Sequence, residues 1–405
     1  MAVSIAEALE IIYTKSPLVS TEIIPIELCV GRIAAVDHIA TFNLPRFHNS
    51  AMDGYAIKLS SQGKTVQCND IIYAGDSKET ILKENYVIKI MTGAPIPDGC
   101  EAVVPVENVE VNDKQITLPL GIKLDSNIRY SGEDIKSGES YIQKGEKLTS
   151  YSIALLASQG ITHTTVYRKI KVSVFGTGDE LRSHYEKIEP HQLYNSNTPM
   201  FLARAKELGC HTEYIPNSGD TIEALKGTIA SALSADIIIT SGGISMGDKD
   251  FTKDAFSEIG MEMLFEKIDI KPGKPTTLGM INNTVIINLP GNPLASMVNY
   301  EIFVRAVIRK ISGAADFYHK SIKAKMKDDF SQRKGKFTVR LGLFDGEYFA
   351  PIKSQLPGMV SPLKKANSMM ITESDIEHIA KNADVKVIPI DWEFCGSEDE
   401  NLFTS

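Results

Sequence analysis

The sequence predicts an α/β protein of several domains, with a central three-layer α/β domain and a smaller β-rich domain on either side. Three strand patterns indicate this fold, at residues 171–175, 236–240 and 284–289. Each is a short apolar run that leads through a polar loop toward a helical pattern, which is typical of a parallel sheet covered on both faces. Ligands of such sheets bind outside the carboxyl ends of the strands, so the three loops predict one shared site.

Composition predicts a soluble globular protein of two to four domains. Of the 405 residues, 43% are hydrophobic and 23% are charged, the values of an ordinary globular chain. No apolar run approaches the ~20 residues of a membrane helix, and the N-terminus lacks the pattern of a signal peptide, which predicts a cytoplasmic location. The net charge of −8, without a long basic block, argues against nucleic acid as the main partner.

The cysteines give no sign of a disulfide framework or a zinc site. They are odd in number, widely spaced and without a CxxC motif. The five positions are Cys29, Cys68, Cys100, Cys210 and Cys395.

The first 166 residues predict a mixture of helix and short strands. We expect a helix at 4–15, a strand at 23–30, an extended connection at 36–44 and a helix at 148–160 that Gly160 ends. Residues 58–139 alternate in short runs separated by turn residues, which indicates a small β domain. The polar run 45–56 between them is rich in side chains with specific chemistry, although Asp53 alone fits a turn before Gly54 as well.

The rest of the chain predicts the sheet domain and a second β domain. Helices are expected at 198–208, capped by Asn195, Ser196 or Asn197, at 221–233, and at 293–311 as a long amphipathic helix. Asp220 stands where it could cap the helix 221–233 or bind a ligand. The dipeptide Asp345-Gly346 predicts a hairpin. The predicted domains are 1–52 with 140–166, 53–139, 167–313 and 314–395, followed by a disordered tail, 396–405.

The loop that follows 236–240 has the composition of an anion site. Its glycines allow backbone N–H groups to turn toward one anion, its serines add hydroxyls, and its aspartates could hold a metal or cap the next helix. A plain turn is the alternative interpretation. The residues concerned are Ser241, Gly242, Gly243, Ser245, Gly247, Asp248 and Asp250. A second loop, 271–275, holds Lys271 and Lys274 on a frame of two prolines and a glycine, and could present two cations to the same anion.

Six motifs in this order resemble those of the molybdopterin molybdenumtransferases, the family of bacterial MoeA and of the gephyrin E domain. They are residues 49–56, 91–95, 132–135, 177–181, 241–245 and 289–293. The resemblance covers about residues 4–395. It implies the last step of molybdenum cofactor synthesis, in which adenylylated molybdopterin and molybdate react, AMP is released and molybdenum enters the dithiolene. It also implies Mg²⁺, and an elongated four-domain homodimer whose site is shared between subunits.

The resemblance assigns roles to matching residues of this chain. Catalytic roles go to Asp53, Thr92, Asp134, Glu180, Asp220 and Asp250, and the last three of these are implied magnesium ligands. Substrate-binding roles go to Ser241, Gly242, Gly243, Ser245, Lys271, Lys274, Pro290, Pro293, Arg340 and Ser361. The prolines would act by shaping their loop. His48 stands where relatives often carry aspartate, and we interpret it as structural. Molybdopterin adenylyltransferase and acceptor molybdoenzymes are implied as possible protein partners.

Two other functions remain open from the sequence. A molybdopterin adenylyltransferase or nucleotide-processing enzyme would share the Ser-Gly-Gly loop but would not be expected to carry 49–56 or 132–134. A non-catalytic scaffold would have no reason to keep the charged site residues. Those residues are Asp53, Asp134, Glu180, Asp250, Lys271 and Lys274.

Overall fold

The chain folds into two compact units. A computed structural model describes residues 2–77, 79–178, 180–216, 221–242 and 251–391, with the backbone alone at 251–254. The first unit contains the described residues of Met1–Ala35, Gly145–Thr149 and Thr164–Ser405, and the second contains those of Val36–Lys144 and Ser150–His163. The finer division into four domains stays a prediction.

A six-stranded sheet forms the centre of the first unit. The three predicted strands are Lys171–Gly176, Ile237–Ser241 and Thr284–Leu289, which lie side by side and parallel, with His211–Tyr214 parallel at one edge. The sheet then continues antiparallel through Thr277–Ile281 to Glu262–Phe265. Ile237, Ile238 and Ile239 are each fully buried, which explains why the central strand is apolar without alternation.

Alternate side chains of these strands pack against helices on opposite faces of the sheet. Ile237 and Ile239 belong to a core with Phe201, whereas Ile238 belongs to another with Ile229. The sheet is therefore the middle of three layers, and the predicted α/β class is confirmed. The described helices of this unit are Ile5–Lys15, Asn197–Glu207, Ile222–Ala232, Phe251–Glu258, Pro293–Asn299, Arg305–Ile311 and Ser361–Lys365, with a 3₁₀ turn at Ile26–Leu28.

The helical segment 293–311 differs from its prediction in two ways. It is broken by a π-helical turn at Tyr300–Val304, and it is buried on nearly every side. The expectation of an amphipathic helix was wrong because its polar residues are buried too. Glu301 forms ion pairs with both Arg305 and Arg204, the latter on the helix Asn197–Glu207.

The C-terminal part of the first unit contains a closed five-stranded barrel. Its strands are Ile322–Met326, Thr338–Phe344, Tyr348–Pro351, Ser368–Thr372 and Asp384–Pro389, and the pair Phe330–Ser331 and His378–Ile379 lies beside them. The predicted hairpin is confirmed, since Phe344 pairs with Phe349 and Gly346 has φ +105°. Further short strands of the first unit are Thr21–Pro25, Leu181–Arg182 and Leu193–Tyr194. The strand His163–Tyr167 starts with the last residue of the second unit, His163, and its other residues belong to the first unit.

The predicted strand 23–30 was wrong in its second half. The strand ends at Pro25, and Ile26–Leu28 turn as a 3₁₀ helix closed by the bond from Cys29 N–H to the Ile26 carbonyl. Proline has no N–H to continue a ladder, which accounts for the early end.

The second unit is built on a mostly antiparallel six-stranded sheet. Its strands, in spatial order, are Ala102–Pro105, Gly54–Ile57, Tyr86–Ile90, Thr65–Ile72, Gln115–Thr117 and Glu110–Asn112. The second unit also contains two antiparallel two-stranded ribbons, His38–Ile39 with Ser140–Ile142 and Asn49–Ser50 with Ile128–Arg129. Its helix is Ser150–Ser158, and 3₁₀ turns occur at Leu59–Ser61 and Val106–Asn108. The short strands expected in 58–139 are present.

Two further properties hold across the described residues. None of their helices combines the length and the apolarity needed to cross a lipid bilayer. Cys29, Cys68, Cys100 and Cys210 are free thiols, and Cys395 lies outside the described residues.

Candidate functional site

The ends of the three parallel strands meet at one edge of the central sheet. Gly176 lies opposite Ser241, which in turn lies opposite Leu289. The residues that follow are bonded across the strands, because Thr177 N–H donates to the Ser241 carbonyl at 3.0 Å and Gly242 N–H donates to the Leu289 carbonyl at 3.3 Å. The structure therefore brings the starts of all three predicted loops together.

Gly242 can only be glycine at this junction. Its φ is +94°, and a Cβ atom there would lie 2.5 Å from the Thr177 carbonyl oxygen. The following residues, Gly243 to Asp250, lie outside the described part of the chain, so the predicted roles of Gly243, Ser245 and Asp250 are proposals.

Asn197 bonds two of these three loops, although its place before the helical pattern predicted a helix cap. Its side-chain N–H₂ group donates to Ser241 Oγ and to the Gly291 carbonyl, both at 2.8 Å. Only 6% of Asn197 is exposed, and its Oδ1 has no partner among the described residues. The predicted helix cap is instead Asn195, whose Oδ1 accepts from Thr198 N–H at 3.0 Å. The sequence contains one signal for this role. Asparagine favours caps and turns over helix interiors, yet a second asparagine follows Asn195 at the first helical position.

We expect Asn197→Ala to weaken AMP binding about tenfold without unfolding the protein. The substitution removes two hydrogen bonds that position the loops, each worth ~0.5–1.5 kcal/mol. Titration calorimetry with AMP measures the change. Asn195→Ala is the matched control, because it removes a helix cap worth about 1 kcal/mol and should lower stability while leaving AMP affinity near the wild-type value. Equal AMP affinities for Asn197→Ala and the wild type would contradict the positioning role.

Glu180 is the one predicted magnesium ligand within the described residues. Its side chain is exposed and folds over Gly178, where a Cβ atom would lie 2.6 Å from Glu180 Oε2. Asp220 and Asp250 lie outside the described residues, and the described part contains no cluster of three His, Cys, Asp or Glu side chains suited to a metal ion. Thr221 Oγ1 caps Ile222–Ala232 by accepting from Ala224 N–H at 3.2 Å. The capping role considered for Asp220 falls on a residue outside the described part of the chain.

The loop 271–275 holds two exposed lysines beside the helix that begins at the site. The Gly273 carbonyl accepts from Asn299 Nδ2 at 3.0 Å, and a Cβ at Gly273 would lie 1.9 Å from that nitrogen. Lys271 and Lys274 are exposed and form no ion pair in the described chain. The backbone of the loop is thus tightly fixed while both ammonium groups stay available to an anion.

The same loop connects to the barrel strand that carries Arg340. Lys271 N–H donates to the Phe337 carbonyl and Val339 N–H donates to the Lys271 carbonyl, both at 2.8 Å. Arg340 is half-buried with its guanidinium 5.6 Å from the Phe330 ring centroid, and its buried Nε has no partner among the described residues. Burial lowers the pKa of Arg340 from its ordinary value, yet guanidinium stays charged in proteins.

Pro290 and Pro293 lie in the third loop and at the start of its helix. Pro293 occupies the first turn of Pro293–Asn299, where its missing N–H costs nothing. The buried Pro290 carbonyl accepts from Ser241 Oγ at 3.3 Å. The barrel segment before Ser361 reaches this helix, because Leu294 N–H donates to the Pro357 carbonyl at 3.0 Å, and Ser361 itself is exposed.

In the second unit, Asp53 and Thr92 form a hydrogen-bonded pair. Asp53 Oδ1 accepts from both the N–H and the hydroxyl of Thr92, each at 2.7 Å. These two bonds lower the pKa of Asp53, so this exposed carboxylate stays ionised to a lower pH than usual. The pair leaves the other carboxylate oxygen open to a ligand.

Asp134 and His48 also lie in the second unit. Asp134 is exposed on the wall of a cavity of about 720 Å³, and its N–H donates to the Leu44 carbonyl at 3.0 Å. His48 Nδ1 accepts from Ser131 N–H at 3.0 Å, and the ring packs edge-on against Tyr130. These contacts support the structural interpretation of His48.

Comparison with known proteins places the chain in one family. Residues 3–160 match the family described as MoeA N-terminal region (domain I and II), and residues 173–310 match the probable molybdopterin binding domain. The molybdopterin molybdenumtransferase of Haemophilus influenzae is 34% identical over 91% of this chain and 94% of its own length. This chain is a member of the molybdopterin molybdenumtransferase family.

Other relatives agree with the assignment. The molybdopterin molybdenumtransferase of Staphylococcus epidermidis is 35% identical over 82% of this chain and 81% of its own length. The crystal structure of a molybdopterin biosynthesis MoeA protein from Pyrococcus horikoshii has a TM-score of 0.83 at 26% identity, covering 97% of this chain and 100% of that one. The predicted family and the predicted place in molybdenum cofactor biosynthesis are confirmed.

The two matched regions of this molybdopterin molybdenumtransferase contain most of the candidate residues. The MoeA N-terminal region includes Asp53, Thr92 and Asp134. The probable molybdopterin binding domain includes the central sheet, Glu180 and the lysine loop, whereas Arg340 and Ser361 lie beyond both matches. The roles of all these residues remain proposals.

We expect Thr92→Val to raise the pKa of Asp53 toward its ordinary value. The substitution removes the hydroxyl donor and keeps the backbone donor, so part of the stabilisation of the charged form is lost. The pKa of Asp53 is depressed, so its charge is present at neutral pH and is lost as pH falls through the folded-state value, at a higher pH in the variant. NMR titration of the Asp53 carboxyl carbon measures this. Thr92→Ser keeps a hydroxyl and should leave the pKa unchanged; an unchanged pKa in Thr92→Val would contradict the assignment.

Proposed function

We propose that this molybdopterin molybdenumtransferase takes adenylylated molybdopterin and molybdate as substrates and forms the molybdenum cofactor and AMP. The observation that best supports this proposal is the meeting of three strand ends at one edge of the central sheet, where Asn197 bonds two of the loops that follow. A pyrophosphate link suits such an edge, where backbone N–H groups follow the strands and precede helices.

Binding and alignment are the tasks we assign to the residues of this edge. Ser241 and Gly242, with Gly243 and Ser245, would hold phosphate oxygens, and Pro290 and Pro293 would keep their loop in place. Cleaving a phosphoanhydride needs charge neutralisation and alignment more than a protein nucleophile. The exposed Lys271 and Lys274 would attract molybdate, an oxyanion, and Arg340 and Ser361 would complete its binding.

Magnesium fits the donors assigned to it. We propose Glu180, Asp220 and Asp250 as its ligands, because carboxylate oxygens are the donors this ion prefers. Glu180 supports the fit, since it is exposed and forms no ion pair within the described residues. When bound, the ion would neutralise charge on the phosphoanhydride.

The assembly and location are proposed on the resemblance alone. We infer a cytoplasmic homodimer in which Asp53, Thr92 and Asp134 contribute to a site shared between subunits. Molybdopterin adenylyltransferase, as source of the substrate, and acceptor molybdoenzymes, as recipients of the product, are the proposed partners.

The proposed reaction can be tested with the purified chain. Adenylylated molybdopterin, molybdate and Mg²⁺ should yield AMP, detected by chromatography, and a cofactor that activates an apo-molybdoenzyme. Lys271→Met with Lys274→Met should reduce turnover at limiting molybdate, while the nearby exposed Lys267→Met should not. Formation of adenylylated molybdopterin from molybdopterin and ATP would favour the adenylyltransferase alternative. Absence of AMP release and of active cofactor would refute the proposal and favour a scaffold.

A further inference from the structure

Two polar side chains are buried near the carboxyl edge of the central sheet without a hydrogen-bond partner in the described part of the chain. Thr240 is fully buried and Asn288 is 2% exposed. The unbonded atoms are Thr240 Oγ1 and Asn288 Oδ1. Buried polar groups are nearly always hydrogen-bonded, so two neighbouring exceptions call for a bound group that supplies the missing bonds. Neither residue has a role in the proposed function.

Thr240 and Asn288 lie on the same face of the sheet. They are opposite each other in the register of two adjacent parallel strands, one residue before each strand ends. Side chains alternate between the two faces along a strand, so Thr240 shares the face of Ile238 and Asn288 shares the face of Ile286. Ile238 and Ile286 belong to one core cluster. The two unbonded oxygens are therefore on neighbouring side chains of a single face.

The helices Ile222–Ala232 and Phe251–Glu258 cover this face. Both contribute side chains to the core cluster that contains Ile238. Each connects two strands that run in the same direction, so each begins at the carboxyl edge of the sheet. In the sequence, Asp220 stands two residues before the first helix and Asp250 directly before the second. Two of the proposed magnesium ligands thus adjoin helix starts at the edge and face of the unbonded oxygens.

The chemistry of the two side chains suits the surroundings of a magnesium ion. Mg²⁺ is usually held by one or two carboxylates and keeps several water molecules. Those water molecules donate hydrogen bonds, the Oδ1 of Asn288 can only accept, and the hydroxyl of Thr240 can accept as well. Residues that bond the ligands of a metal from outside typically raise its affinity about 10–100-fold. Unbonded acceptors beside a proposed metal site therefore fit this outer role.

We propose that Thr240 and Asn288 are positioning residues for the magnesium ion, and that they accept hydrogen bonds from its water molecules. This inference rests on the proposed function, and it adds two neutral residues to the carboxylates Glu180, Asp220 and Asp250. A buried water molecule without a metal ion is the other occupant that could bond both oxygens, and the experiment below distinguishes the two.

Titration of the full chain with Mn²⁺ in the presence of AMP, with free Mn²⁺ measured by electron paramagnetic resonance, tests the proposal. Asn288→Leu replaces the acceptor with an apolar side chain of similar size and should weaken Mn²⁺ binding about tenfold. Thr240→Val removes the hydroxyl and should weaken binding in the same way. Thr240→Ser keeps the hydroxyl and should bind Mn²⁺ like the wild type.

Thermal unfolding of the metal-free protein separates positioning from a structural role. Replacing an unbonded buried polar group with an apolar group of the same shape is nearly neutral or stabilising. The melting temperature of Asn288→Leu should therefore be no lower than that of the wild type. A lower melting temperature together with weaker Mn²⁺ binding would assign Asn288 to the fold and overturn the proposal.

Thr284→Val is the matched control. Thr284 begins the strand that contains Asn288, at the opposite edge of the sheet, and its Oγ1 donates to the Ala235 carbonyl at 2.9 Å. This variant loses a satisfied buried hydrogen bond, so it should melt at a lower temperature and bind Mn²⁺ like the wild type.

Two results of the titration would overturn the proposal. Equal Mn²⁺ affinities of the wild type, Asn288→Leu and Thr240→Val would assign the space to water alone. A wild type that binds no Mn²⁺ would remove the ion that the two residues are proposed to position. Release of AMP during turnover is measured separately, so failure of this inference and failure of the proposed function are distinguishable.

Discussion

Replacing Glu180 with glutamine is expected to reduce turnover on the order of 100-fold while the melting temperature stays at the wild-type value. The side chain is exposed and forms no ion pair within the described residues, so the fold does not depend on its charge. A proposed magnesium ligand does depend on that charge, and the variant should need more Mg²⁺ for half-maximal rate. AMP release across a Mg²⁺ series, with thermal unfolding alongside, measures both effects.

Glu189→Gln provides the control for this prediction. Glu189 is another exposed carboxylate of the same connecting segment, and it has no assigned role. Its replacement should change neither turnover nor the Mg²⁺ requirement. A Glu180→Gln variant that turns over normally would contradict the catalytic role, and one that melts many degrees lower would assign Glu180 to structure.

Replacing Glu301 with glutamine is expected to cost about 3–5 kcal/mol of unfolding free energy. Glu301 is 1% exposed, with Oε1 at 2.6 Å from Arg204 Nε and Oε2 at 3.1 Å from Arg305 Nη1. Removal of its charge leaves two largely buried guanidinium groups without their shared carboxylate. Both arginines also donate to barrel carbonyls, at Ile390 and Pro389, so the loss should loosen the barrel as well.

Urea denaturation measures this effect, and Glu207→Gln is its control. Glu207 pairs with the same Arg204 at 2.8 Å, but its side chain is 63% exposed, and an exposed pair contributes ~0–1 kcal/mol. A loss below 1 kcal/mol for Glu301→Gln would contradict the importance of the buried cluster. Both variants remove a carboxylate partner of Arg204, one buried and one exposed. The difference between their unfolding free energies therefore measures the effect of burial on the ion pair.

Local patterns accounted for much of the central domain. The strand predicted at 284–289 matches Thr284–Leu289, and the helix predicted at 198–208 lies one residue from Asn197–Glu207. These elements were predictable because burial on both faces of a sheet requires continuous apolar strands, and helix caps stand beside the helices they serve. The meeting of the three loops at one edge of the sheet followed from the rule that ligands bind at the carboxyl ends of parallel strands.

Side-chain roles that depend on distant partners were not predictable in this way. The local sequence around Asn197 predicts a helix cap. Its amide instead forms hydrogen bonds to Ser241 and Gly291, which lie 44 and 94 positions later in the chain. The polar residues of 293–311 read as a solvent face, yet Glu301 is held by Arg204, 97 positions earlier. Periodicity reports which face is polar but not whether that polar face is buried against another charge.

The sequence by itself determined the fold class, the three strands and loops of the site, and the family to which the chain belongs, because these depend on local pattern and ordered motifs. Tertiary structure alone decided that Asn197 bonds two of the loops and that Asp53 is held by Thr92. The physical reason is that hydrogen bonds and cavities form between residues brought together by folding, and no local propensity encodes those partners.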